Sequence, residues 1–213
     1  MSVANIILEK NRGRLITDTV GYLGKEPAVL ERKVRLLESP GVAMTVRGLQ
    51  KLDWELEPVA SACKSYDEVM SVLEEEILDY TPANSFQKSG SEVTVLGMVN
   101  GEVRCSRLLV TIRDGDISIQ RVDLAPGVYL APTLGQHSLP LSMTDEQVLK
   151  VAFLQQDIAV KHGLNICIGG DVEVATVDAA GMTVRKIGEY PNKAMTVARI
   201  AEIDASEFHD VAA

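Results

Sequence analysis

The chain has few cysteines, few aromatics, no excess of positive charge and no long apolar run. Its three cysteines, Cys63, Cys105 and Cys167, are widely spaced, with no CxxC pair and no nearby histidine. They support neither a disulfide framework nor a zinc site, and three buried thiols is the simpler reading. Aromatic residues make up 4%, too few for a base-stacking surface, so Trp54, Tyr129 and Phe153 read as core or interface residues. The net charge of -9 makes the surface unattractive to phosphate backbones and anionic lipid, and the basic clusters Arg12/Arg14 and Arg32/Lys33/Arg35 are short. Neither nucleic acid nor membrane is expected as a partner. The opening MSVANIILEKN carries an acid and lacks the charged start and cleavage site of a signal peptide, so the expected location is cytoplasmic. Gly169-Gly170 has no GxGxxG or GxxxxGK[ST] context, and neither a cofactor nor a metal is expected.

What is present is an ordinary globular composition. Over 213 residues, 46% are hydrophobic and 24% charged, which suits one large domain with a sizeable core. VANIIL and RLITD, joined by KNRG, predict an N-terminal hairpin, and KVRLLE with VAMTVRG, around Ser39-Pro40-Gly41, predict a second strand pair. The first quarter reads as β meander, with TVGYLGKEPAVLER as a loop. LQKLDWELEPVASACK predicts a short helix. Ser65 to Glu68 has the capping-box pattern that opens a longer one, with Val69, Val72, Leu73 and Ile77 as its buried stripe. Glu74, Glu75 and Glu76 then form a solvated face.

From 92 to 130 a second meander is expected, with turns at Asn100-Gly101, Asp114-Gly115 and Pro126-Gly127. Thr144 to Gln147 repeats the capping-box pattern, for a helix ending at Gly163. DVEVATVD and MTVRKIG predict a closing hairpin. Sheet, helices, sheet, helix and hairpin in that order suit an α+β fold of two packed antiparallel sheets with helices outside. The domain is drawn at 1–188, with 189–213 a C-terminal extension, helical or interface-forming.

Five short elements carry chemistry. Ser2 is small enough in second place to permit removal of Met1. Asp18 lies 16 positions after Ser2 and Lys33 31 positions after it. Gly48 follows a strand in TVRGL, and Gly169-Gly170 leads into another in CIGGDVEVATVDAAG. Taken singly, Asp18 is turn chemistry, Lys33 an edge lysine, Gly48 a strand end and Gly169-Gly170 a close backbone approach.

Together they resemble the proteasome β-subunit group of N-terminal-nucleophile hydrolases, including the bacterial proteasome-like proteases. The resemblance covers roughly residues 2 to 188. It implies a four-layer αββα sandwich of two antiparallel sheets flanked by helices. It further implies Ser2 as nucleophile, Asp18 and Lys33 as its catalytic partners, Gly48 as oxyanion donor, and Asn165, Gly169 and Gly170 as supporting residues. The implied partners are identical subunits, in a ring or larger assembly, and a peptide or amide substrate.

The chemistry explains the residue types. A serine hydroxyl needs a base, and a chain-terminal serine has its own α-amine, with an ordinary pKa of about 7.7 to 8.0. A neighbouring lysine favours loss of the hydroxyl proton and keeps the amine neutral, while an aspartate holds the lysine in place. With Met1 retained that amine does not exist. The sequence also departs from the family pattern: Asn165 stands where an Asp is usual, Ile168 replaces a Ser, and Leu49 and Gln50 follow Gly48. The alternative is a catalytically silent structural or assembly subunit that keeps the fold, with Asp18 and Lys33 as a structural ion pair.

Overall fold

A computed structural model describes residues 3–23, 26–48, 50–79, 89–113, 116–133, 139–163 and 168–210. Ser2, Asp114, Gly115, His137, Asn165 and Cys167 lie outside the described residues.

Strands β1 (Ala4–Leu8) and β2 (Arg12–Asp18) form the N-terminal hairpin, with Ile6 opposite Leu15. Every residue of β1, and all of β2 after Arg12, is buried, which is why neither strand alternates apolar with polar residues. The hairpin is the middle of a five-stranded antiparallel sheet. Its order is β10 (Gly127–Tyr129), β1, β2, β11 (Asp171–Asp178) and β12 (Gly181–Glu189).

A second five-stranded antiparallel sheet runs β5 (Val34–Leu37), β6 (Val42–Arg47), β7 (Ser89–Val99), β8 (Glu102–Arg113) and β9 (Asp116–Asp123). Between them in sequence, β3 (Val20–Leu23) and β4 (Glu26–Leu30) pair as a separate two-stranded hairpin.

Two expectations are corrected here. The first quarter is not one meander, since β1–β2 and β5–β6 belong to different sheets and the expected loop between them forms β3–β4. Pro27 hides that hairpin, because it donates no ladder hydrogen bond, yet in a two-stranded edge pair opposite Tyr22 this is tolerated. The second meander ends at β9. After Pro126 the chain crosses to the first sheet, where Gly127 is a strand residue opposite Leu8. Asn100 (φ 52°) and Gly101 (φ 80°) do form the tight turn that their pattern predicts, both left-handed as a two-residue hairpin loop demands.

The helices are α1 (Gln50–Ser61), α2 (Tyr66–Asp79), α3 (Asp145–Lys161) and α4 (Lys193–Asp210). On α3 the capping box is complete: Thr144 Oγ1 accepts from the Gln147 N–H, and the Gln147 side chain accepts from the Thr144 N–H. On α2 it is shifted, because Ser65 Oγ accepts from the Glu68 N–H at 3.2 Å while the Glu68 carboxylate takes the N–H of Lys64.

Among the described residues, three apolar clusters hold these elements together. The first packs Leu52, Leu56, Val69, Met70, Leu73 and Ile77 of α1 and α2 against Met44, Val93, Val95 and Leu108 of the second sheet. The second packs Val148, Ala152 and Ala159 of α3 against Ile7, Ile16, Val172 and Val174 of the first sheet. The third draws on both sheets, with Ile6, Leu8, Leu15, Ala175 and Val177 from the first and Val34, Ala43, Leu96 and Cys105 from the second. Among the described residues, no helix is long and apolar enough to cross a membrane.

Candidate active site

Asp18 is the last residue of β2, placed where the hairpin, the strand β11 and the segment leading into β5 converge. Its side chain is 0% exposed. Oδ1 accepts the backbone N–H of Val3 at 2.9 Å. Oδ2 accepts from Lys33 Nζ at 2.9 Å and, more weakly, from the Gly169 N–H at 3.4 Å. The buried carboxylate therefore has both a counter-charge and backbone donors, which its burial requires.

Lys33 immediately precedes β5, and its own carbonyl accepts from Thr45 Oγ1 of β6 at 2.7 Å. Its backbone is thereby fixed to the second sheet while its ammonium reaches the first. The neighbouring residues strap the same junction. The Glu31 N–H donates to the Thr19 carbonyl at 2.8 Å, and Arg32 Nε sits 3.3 Å from Glu173 Oε2 on β11. Asp18 and Lys33, 15 residues apart in sequence, are brought together by contacts that span two sheets.

Gly169 and Gly170 pass directly over the end of β2. Thr19 donates its N–H to the Gly169 carbonyl, Thr19 Oγ1 accepts from the Asp171 N–H at 2.8 Å, and Gly170 accepts from the Tyr190 N–H at 2.9 Å. Gly170 has φ +76°, and a Cβ there would lie 2.4 Å from Thr19 Oγ1, so close backbone approach accounts for it. Ile168, just before the pair, is buried in the α3 cluster, and its carbonyl accepts from Gln156 Nε2 of α3 at 2.8 Å.

Gly48 lies beyond β6 with φ +125°, and a Cβ on it would fall 2.5 Å from Ser91 Oγ and 2.9 Å from the Gly90 carbonyl oxygen. Its backbone is thus pressed against the start of β7 in a conformation closed to other residues.

The electrostatics near Asp18 show in Tyr190. Its hydroxyl is buried without a hydrogen-bond partner among the described residues, and burial, with the Asp18 charge adding to it, pushes its pKa well above the ordinary value. Among the described residues there is no group of three or more His, Cys, Asp or Glu placed to hold a metal ion.

Of the residues singled out from sequence, Asp18, Lys33 and Gly169 meet at one point, Gly170 adjoins them, and Gly48 lies at the end of β6. Two features went unread. One is the Val3 N–H on Asp18, a backbone contact with no side-chain signature. The other is a buried cluster of Arg47, Glu92 and Arg107, in which Arg47 lies 3.5 Å and Arg107 2.8 Å from the Glu92 carboxylate. A glutamate inside the strongly β-forming run SEVTVLGMV was the available hint.

No family model matches the chain, and no curated protein matches it. Among solved structures, the Anbu (Gly-1) mutant from Hyphomicrobium sp. strain MC1 aligns over 100% of this chain and 97% of its own, with a TM-score of 0.61 and 11% sequence identity. At that identity the likeness speaks for architecture alone, and the architecture is a proteasome-like fold.

Proposed function

We propose that the protein is a proteasome-like N-terminal-serine amidohydrolase or peptidase acting in a self-assembled homo-oligomer in the cytoplasm. The layers run helix, sheet, sheet, helix, an αββα sandwich that accords with the three apolar clusters. The observation that carries the activity is the Asp18 carboxylate, which holds Lys33 Nζ on one oxygen and the Val3 N–H on the other, each at 2.9 Å. Val3 is the covalent neighbour of Ser2. Anchoring it ties the chain start to the Lys33 ammonium.

In this reading the Ser2 α-amine, free after loss of Met1, takes the proton from Ser2 Oγ as that oxygen attacks the amide carbonyl. Lys33 stabilises the developing alkoxide and disfavours protonation of the amine, and Asp18 positions Lys33. The Gly48 N–H receives the negative carbonyl oxygen, a contribution on the order of a hundredfold or more in rate. Collapse breaks the C–N bond, and the protonated Ser2 amine gives its proton to the leaving amine. Water, deprotonated by the same amine, then hydrolyses the ester. Asn165, Gly169 and Gly170 support the site, Gly169 through its N–H on Asp18.

A second reading, a silent structural or assembly subunit, is favoured by Ile168. Where a serine would offer a hydroxyl, this residue is an apolar group 4% exposed in the α3 core. Two measurements separate the readings. The intact mass of cell-made protein should lack Met1, and wild type should hydrolyse a peptide pool that Ser2→Ala leaves intact. Retention of Met1 in every molecule, or equal hydrolysis by both proteins, overturns the enzyme reading.

A further inference from the structure

The face of the second sheet that turns toward the first carries an unbalanced charge. Ala43, Leu96 and Cys105 lie in the core between the sheets. Arg47, Glu92 and Arg107 are even-numbered steps along the same strands and so share that face. The pairing of Arg47 with Glu92 and of Arg107 with Thr94 agrees. The Glu92 side chain is 8% exposed, Arg47 18% and Arg107 16%.

One carboxylate serves two guanidinium groups here. Arg107 Nη2 takes Glu92 Oε1 at 2.8 Å, a normal charge-assisted bond. Arg47 Nη2 reaches Oε2 only at 3.5 Å, too far for one. Arg107 Nε is buried without a hydrogen-bond partner among the described residues. Burial holds the Arg47 pKa below its ordinary value, Glu92 acting against this and Arg107 with it. Among the described residues, a mostly buried cation is left without a full counter-charge, an arrangement that is unfavourable until an anion arrives.

There is room for that anion. A cavity of about 230 Å³ is lined by Arg47, Gly90, Ser91, Glu92, Leu109 and Thr111, among others. It adjoins Gly48, whose backbone is packed on Ser91 and Gly90. We propose that this cavity is a subsite for a carboxylate carried by a peptide, bound by the planar fork of Arg47. The proposal rests on the peptide-hydrolase reading of the neighbouring site. With a net charge of -9 the surface as a whole repels such a ligand, so its selection is local to the cavity rather than a matter of long-range steering.

The carboxylate has two sources, an acidic side chain or the free end of a peptide. Fluorescence anisotropy on the Ser2→Ala protein distinguishes them without requiring turnover. Three labelled peptides of equal length serve as probes: one with an internal glutamate and an amidated end, its glutamine counterpart, and that counterpart with a free C-terminal carboxylate. A carboxylate peptide should bind about tenfold or more tighter than the neutral one. Which of the two does so identifies the source. The preference should vanish in Arg47→Met, or in Arg47→Gln if the Met variant does not fold. Equal binding of all three peptides, no binding by any, or a preference unchanged in the Arg47 variants overturns the proposal. Because no peptide is cleaved, a positive result stands even where Ser2 proves not to be a nucleophile.

Discussion

Lys33 Nζ lies 2.9 Å from Asp18 Oδ2 at the junction of the two sheets, with Lys33 11% exposed and Asp18 fully enclosed. Removing the Lys33 ammonium strands the Asp18 carboxylate in an unsolvated place. Lys33→Met should therefore cost about 3 to 5 kcal/mol of stability. Asp18→Asn/Lys33→Met should cost clearly less than the sum of the two single substitutions, since no charge is left alone. Urea denaturation of the four proteins gives the coupling directly. Strict additivity would mean that the pair is not coupled, and would remove the geometric basis of the proposed site. On the proposed peptidase reading, both single substitutions should also abolish peptide hydrolysis.

Gly48 separates backbone constraint from mere turn preference. Gly48→Ala meets both a φ of +125° and a Cβ position 2.5 Å from Ser91 Oγ, whereas Gly41, at φ +67°, has nothing within 4 Å of its Cβ position. Gly48→Ala should cost about 3 kcal/mol or more. Gly41→Ala should cost only about 1 kcal/mol. Thermal denaturation of the two variants side by side tests this, and similar losses would show that contact with Ser91 is unimportant.

These sites also mark how far the sequence could be read. Ser65, Thr144 and Asn100-Gly101 carry their structure in neighbouring residues, so caps and turn were legible. The spacing of Asp18 and Lys33 pointed to a pair that is in fact closed, because both residues flank strands whose ends are set by apolar runs. The placement of β10 was not legible: its partner β1 is 123 positions earlier where Tyr129 faces Ile6 and 119 earlier where Gly127 faces Leu8, and three residues carry no periodicity. Nor was the Arg47, Glu92 and Arg107 cluster, since which side chains meet across β6, β7 and β8 depends on register rather than on local pattern.

The thiols provide a test of burial. Cys63 and Cys105 are 3% and 2% exposed. Burial pushes the Cys105 pKa up to about 12, and burial with the Glu68 charge raises that of Cys63. For Cys105 the thiolate fraction near neutral pH falls on the order of a thousandfold below that of a free cysteine. Iodoacetamide on the native protein at mildly alkaline pH, followed by peptide mass mapping, should leave both residues unmodified. The same treatment in urea should label both. Rapid native labelling of Cys105 would contradict its place between the sheets.

Acid stability should depend on Asp145, at the start of α3. Arg185 of β12 holds its two oxygens at 2.7 and 2.8 Å, and these hydrogen bonds, against some burial, lower the Asp145 pKa below its ordinary value. A depressed folded-state pKa means that the contribution is fully present above the unfolded value, about 3.9, and is lost as pH falls through the folded value. Both side chains are over 40% exposed, at 43% for Asp145 and 49% for Arg185, so solvent limits the effect to under about 1 kcal/mol. Arg185→Met should lower stability slightly at pH 7 and converge on wild type as pH falls through the lowered Asp145 value. Urea midpoints measured across this range check the sign. A gap between the two proteins that stays constant on acidification would mean that Arg185 acts through packing rather than through its bond to Asp145.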